Sequence, residues 1–161
     1  MRKEDEDLYR IRWARVSDYE NVMDMVWETF LKFEGKDYTE EGIRNFEEFI
    51  HSDSVYNSFL LGSYQIMVVT HQEEIVAMAS VRNRNHLSLL FVKEEYHHKG
   101  IGSYLMGRFC KYLLEEQGEK EMTLWAAPYA VGFYQKLGFE STEPEKMIEG
   151  IRITTMKKIL V

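Results

Sequence analysis

An α+β fold on a mixed, mostly antiparallel sheet is what this chain predicts, and three observations predict it. Runs rich in β-branched residues at 64–70, 75–81 and 86–92 are joined by polar linkers too short to hold crossover helices, so they form an antiparallel meander. A further apolar run at 122–126 follows the third of them across a full helical segment, 100–117, and therefore lies parallel to it in a right-handed β-α-β unit. At the join of that strand and helix stands His97-His98-Lys99-Gly100-Ile101-Gly102, with two glycines one residue apart.

The elements follow in order. Residues 8–15 alternate, with Tyr9, Ile11 and Trp13 on one side and Leu8, Arg10 and Arg12 on the other, as a half-buried first strand does. Ser17, with Glu20 three residues on, has the capping-box pattern. Val22, Met23, Val26, Trp27, Phe30, Leu31 and Phe33 then recur at helical spacing as far as Gly35. A second helix starts at Thr39, where Glu40 and Glu41 suit its positive end, and buries Ile43, Phe46, Phe49 and Ile50. After the meander, the 100–117 helix puts Ile101, Leu105, Phe109, Tyr112 and Leu113 on one face and stops at Gly118. Pro128 opens a short helix over 130–136 that ends at Gly138, and strands at 139–142 and 151–157 close the sheet.

Length and composition narrow the class. A chain of 161 residues, 45% hydrophobic and 14% aromatic, is sized for one folded domain over 1–161. No apolar run approaches a membrane span, so no membrane partner is expected, and the charged start MRKEDEDLYR does not read as a leader; a cytoplasmic location is the expectation. The single cysteine, Cys110, lies on the apolar face of its helix and reads as core. Of the net charge of −7, residues 1–60 hold all, with 15 acidic and 8 basic side chains against 12 of each in the rest. That acidic third argues against a nucleic-acid partner and permits a cationic one, although solvated helix faces account for it equally.

The glycine pair is the strongest chemical signal. Missing side chains let a ligand approach the main chain, the first helical turn offers unpaired N–H groups, and the dipole favours an anion there. Gly102 is followed by Ser103-Tyr104 and not Lys-Ser/Thr, which excludes a P-loop; Leu105 stands where a dinucleotide fingerprint needs glycine. Alone, the pair could still be a tight turn. As a metal site His97-His98 is incomplete, because no nearby carboxylate or cysteine completes a ligand set, so no metal is expected.

Strand, charged loop, xxGxG and helix, followed by Ala130-Val131-Gly132-Phe133-Tyr134-Gln135-Lys136-Leu137-Gly138-Phe139, resembles the GNAT superfamily of acyl-CoA-dependent N-acetyltransferases. The family's Gln/Arg-x-x-Gly-x-Gly/Ala motif falls on residues 97–102, with His97 in the first position, and its Ala-x-x-Phe/Leu-Tyr-x-Lys-x-Gly-Phe signature is matched at Ala130, Phe133, Tyr134, Lys136, Gly138 and Phe139. The resemblance implies the GNAT fold, with a mostly antiparallel sheet, one parallel splayed pair and flanking helices. It implies acetyl-CoA as cosubstrate and direct transfer to a primary amine of a small molecule or peptide. Leu90, Phe91 and Val92 would meet the pantetheine arm, with a main-chain N–H near Val92 polarising the thioester. His97, His98, Lys99, Gly100, Ile101, Gly102 and Ser103 would cradle the pyrophosphate, and Tyr134 would bind the cofactor and protonate the leaving thiolate. Trp125 and Ala127 replace polar residues of many relatives, so side-chain contacts there are not expected. Superfamily members are often dimers, which leaves a homodimer open.

No motif fixes the group that takes the proton from the attacking amine. His86 is the leading candidate because histidine titrates near neutrality and stands just ahead of the splayed residues, with Ser88 on the same strand face. Glu28 and Glu34, on or just after the first helix, are candidates to bind a cationic amine. A buried Cys110 argues against a covalent cysteine intermediate. An acyl-CoA-binding or sensing module without turnover is the alternative, as is an interaction protein in which the glycine turn is merely structural.

Overall fold

In the computed structural model, which describes residues 8–161, an eight-stranded sheet carries helices on both faces. Most of the charged N-terminal stretch, residues 1–7, lies outside the described residues. The strands are β1 (Tyr9–Trp13), β2 (Gln65–His71), β3 (Glu74–Arg82), β4 (His86–Val92), β5 (Glu121–Ala126), β6 (Glu140–Ser141), β7 (Lys146–Ile148) and β8 (Ile151–Ile159). They lie in the order β1-β2-β3-β4-β5-β8-β6, with β7 paired to β8. Every pairing is antiparallel except β4 with β5. The helices are α1 (Tyr19–Phe33), α2 (Glu40–Ile50), α3 (Asp53–Leu61), α4 (Ile101–Glu115) and α5 (Val131–Lys136).

Strand periodicity divides the interior into two cores. In β2, Met67 and Val69 pack beneath α4 against Ile101, Leu105 and Phe109. Their neighbours Ile66 and Val68 face the other way, onto Val22, Val26 and Phe30 of α1 and Phe46 of α2. β2 and β3 are thus buried on both faces, which is why they read as continuous apolar runs. Cys110 is half-buried against the α4 core, where burial pushes its thiol above the usual range. A thiol held protonated is a poor nucleophile.

One local expectation is corrected, and two elements appear that the sequence reading did not assign. The Ser17–Glu20 box does not form: Asp18 caps the turn before α1, accepting from Arg15 N at 2.6 Å and from the Arg12 guanidinium at 2.7 Å, which holds its carboxyl below the usual range. Helix α3 was not expected; Ser52 caps its start, left-handed Gly62 ends it, and it packs half-buried Val55 and Phe59 against the α1 core. β7 was likewise unforeseen. Its turn, Glu149–Gly150, docks on the start of α2, where Thr39 N and Oγ1 both donate to Gly150 O and Asn45 Nδ2 donates to Glu149 O. No helix among the described residues is long and apolar enough to cross a membrane.

Candidate active site

The parallel pair β4–β5 is hydrogen-bonded only at its start. His86 lies opposite Thr123 and Leu87 opposite Leu124; beyond them the strands separate. The register of β4 on β3 also slips between Ser80 and Val81, leaving Ser88 as the extra residue of a bulge, which increases local twist. Parity decides what faces the gap. Lys93 N donates to Val76 O, so Leu89, Phe91 and Lys93 spend their main-chain groups on β3. Leu90 and Val92 turn theirs away from β3, toward the opening. The Val92 carbonyl is occupied there by His97 Nε2 at 2.6 Å, leaving the N–H groups of Leu90 and Val92 aimed into the gap.

The loop that follows is shaped for main-chain contact. His98 and Gly100 both have positive φ, 61° and 78°, and Gly100 caps α4, its carbonyl accepting from Tyr104 N at 3.0 Å. The N–H groups of Ile101, Gly102 and Ser103 therefore form the open first turn of a 15-residue helix with no acidic residue near its start. A Cβ on Gly102 would stand 3.4 Å from the Phe133 ring and 3.8 Å from Val92, so glycine lets this turn sit against both β4 and α5. Among the side chains, His97 serves the fold instead of the turn: its ring lies 5.0 Å from Phe33 and its Nε2 is on Val92. His98 and Lys99 are exposed. Because left-handed φ strains a histidine by about 1 kcal/mol, His98→Gly should raise the urea midpoint without changing its slope.

A cleft of about 440 Å³ opens at the splay, lined by Glu34, Tyr38, Arg82, His86, Trp125 and Tyr134 among others. Tyr134 is buried on α5 between Phe133 and Phe139. Among the described residues no protein group is hydrogen-bonded to its hydroxyl, and burial, aided by the nearby Glu34 charge, pushes its phenol well above the ordinary value. Glu34 ends α1, its N–H on Phe30 O, and its Oε1 accepts from Tyr129 Oη at 2.6 Å. Burial raises the Glu34 carboxyl above the usual carboxylate range against the opposing effect of that hydrogen bond. Tyr38 and Tyr129 are driven upward by burial and by the same carboxylate. Glu34 is thus a half-buried carboxylate beside three phenols, one of them hydrogen-bonded to it, and such a group can attract a small cation.

The other expected residues divide. His86 lines the cleft, with its Nδ1 2.8 Å from Thr123 Oγ1 and its ring against Trp125. Burial, with Arg82 adding repulsion, lowers its pKa to about 4, so at neutral pH it is uncharged but a weak base. Its unfolded pKa is near 6.5, so the unfolded chain binds the extra proton between about 4 and 6.5 and folding stability rises with pH across that window. Denaturant titrations of wild type and His86→Asn between pH 5 and 7 should show the slope reduced in the variant. Ser88 lines the cleft too, its Oγ accepting from Tyr64 Oη at 3.0 Å beside buried Ser80. Glu28 is not brought to the cleft: it lines a separate groove with Lys32, Glu94 and Glu95. The other acids of α1 and α2 are exposed, so the acidic third contributes one carboxylate to the site, Glu34. Sequence reading missed Tyr38, Arg82 and Tyr129, which come from turns and strand ends without a motif. Among the described residues no cluster of side chains is arranged to hold a metal.

A glycine turn at a helix start, a splayed parallel pair and a buried tyrosine beside it define a class of acyl-transferring folds, and comparison with known proteins agrees. Residues 34–160 match the family model of the acetyltransferase (GNAT) domain. A protein of Bacillus subtilis (strain 168), provisionally named an acetyltransferase, is 29% identical over 122 residues, 74% of this chain and 79% of its own. The PaiA N-acetyltransferase of Thermoplasma acidophilum, solved with coenzyme A, superposes with a TM-score of 0.75 at 20% identity, covering 94% of this chain and 98% of that one. The spermidine N-acetyltransferase of Vibrio cholerae, solved with CoA and spermine, gives 0.70 at 17% identity, with 96% of each covered. The chain belongs to the GNAT acetyltransferase family.

Proposed function

We propose that this protein transfers the acetyl group of acetyl-CoA to the primary amine of a small acceptor, directly and within one ternary complex. The observation that carries the reading is that Leu90, Tyr134 and Glu34 line one cleft, at the splay into which strand parity turns the N–H groups of Leu90 and Val92. The residues fit an acyl-CoA: the open N–H groups at 101–103 suit a pyrophosphate, and Gly102 leaves the space a side chain would fill. When bound, that cosubstrate supplies an acetyl carbon activated as a thioester.

Each step then falls to a named group. Glu34, supported by Tyr129, holds the acceptor ammonium and takes a proton from it, a task for which its raised pKa suits it better than the lowered pKa of His86. The N–H groups of Leu90 and Val92 stabilise negative charge on the carbonyl oxygen as the C–N bond forms. Tyr134 hydrogen-bonds the departing sulfur and delivers its proton as the C–S bond breaks, and the second proton lost by the new amide nitrogen restores the phenol. The elevated pKa of Tyr134 keeps the phenol protonated for that delivery. Cys110 has no part in this scheme.

Thiol release from acetyl-CoA with a panel of primary amines tests the reading, and amine-dependent release is the expected result. Glu34→Gln should lower kcat/KM for the amine by about 10²-fold or more. Because its pKa is raised, the wild-type rate should fall at an acid limb lying above the ordinary carboxylate range, and the variant should lose that limb. CoA binding without release for any amine would instead favour a sensing module.

A further inference from the structure

The cleft that holds Glu34 also holds a cation, and the two do not pair. Arg82, the last residue of β3, lies opposite His86, and its guanidinium stands over the Trp125 ring at 5.5 Å. It is half-buried, yet among the described residues it makes no ion pair and no side-chain hydrogen bond, whereas nearby Arg84 is bonded to Glu119 at 2.7 Å. A partly desolvated guanidinium without a counter-ion is costly unless something else supplies the acceptor oxygens.

The two charges have separate surroundings. Around Glu34 stand Tyr38, Tyr129 and Tyr134; around Arg82 stand Trp125, His86 and Tyr64. Arg82 further lines an adjoining hollow with Phe49, Ser58 and Gln65, so its end of the cleft continues away from the glycine turn. The remaining charged lining residue, Glu149, is exposed at the rim with its carbonyl on Asn45. Its guanidinium lies over Trp125 and bonds to no other side chain among the described residues, which leaves its N–H donors for an oxyanion.

We infer that the acceptor is a small amine carrying its own oxyanion, a carboxylate or a phosphate, with the ammonium on Glu34 and the oxyanion on Arg82. This assignment rests on the transferase reading above and narrows its substrate class. A polyamine would place a second ammonium toward Arg82 and be repelled, so Arg82 acts against polycations as well as for zwitterions.

The test compares kcat/KM for four acceptors: propylamine, spermidine, an amino acid such as β-alanine, and aminoethyl phosphate. Wild type should favour at least one of the two zwitterions over propylamine by about 10- to 100-fold, and which of them leads tells carboxylate from phosphate. Arg82→Gln should collapse that ratio, mainly through KM, and Arg82→Lys should restore part of it. CoA affinity, measured by calorimetry, checks that each variant is folded, and the wild-type ranking stands as evidence should a variant fail to fold. Preference for spermidine or propylamine in the wild type overturns the inference while leaving the transferase reading intact, and so does an equal loss for all acceptors in a folded Arg82→Gln. CoA binding without transfer to any of the four, or to other amines, overturns both.

Discussion

Tyr134→Phe is expected to lower kcat by roughly 10²- to 10⁴-fold, the usual range for loss of a general acid, while CoA affinity stays within about threefold. The ring sits in the α4 core between Phe133 and Phe139, so phenylalanine keeps the packing and removes only the hydroxyl. Among the described residues that hydroxyl bonds to no protein group, so its loss strands no partner and stability should change by less than about 1 kcal/mol. A structural tyrosine would behave in the opposite way, with stability falling and kcat holding. Acceptors that release a product from acetyl-CoA in wild type give the rate comparison, and urea denaturation gives the stability.

The second large effect lies on the roof of the cleft. Gly150, with φ of 82°, turns the β7–β8 hairpin so that its carbonyl accepts two bonds from Thr39, and the backbones of Gly150 and Gly42 nearly touch. A Cβ on Gly150 would stand 2.9 Å from Gly42 N and collide with Thr39 Oγ1. On Gly42 it would stand 2.7 Å from Gly150 O, a main-chain atom that cannot rotate aside. Gly150→Ala should therefore cost about 2–4 kcal/mol, combining left-handed strain, a forced backbone shift and loss of the Thr39 cap on Gly42 N. In whatever fraction stays folded, the acceptor KM should rise while CoA affinity persists, because the hairpin borders the acceptor side and not the glycine turn. Differential scanning calorimetry and acceptor titrations read the two consequences separately.

What the sequence makes legible here is local or fixed by topology. The glycine turn and the Tyr134 signature each lie within a dozen residues, and the β4-α4-β5 crossover follows from a full helix between two strands; the structure forms the parallel pair and starts α4 at the glycine turn. Glu34 was legible as a candidate, but its partner Tyr129 is 95 residues away and belongs to no motif. Arg82 looks like a turn residue until β4 brings His86 opposite it and β5 brings Trp125 beneath it. Helix α3 is short and lies on the surface, none of its residues fully buried, so its trace is a brief one, Val55, Tyr56 and Phe59, although Ser52 and Gly62 mark its two ends. At Ser17 the local rule loses to competition, since Asp18 gains both a main-chain N–H and the Arg12 guanidinium. His97 shows the same limit at the site itself. Its motif place implies a main-chain role, and what the sequence cannot give is the use of its ring, which is committed to Val92 and Phe33.

The central claim is that the splayed strands and the glycine turn form an acyl-CoA site. Calorimetric titration of the purified protein with CoA tests it most directly, with Gly102→Val beside it, because that side chain would press on Phe133 and Val92 and fill the cradle. Saturable one-to-one binding in wild type, abolished or strongly weakened in a Gly102→Val that melts like wild type, is the predicted result. Absence of binding in wild type, or equal affinity in the two proteins, would contradict it.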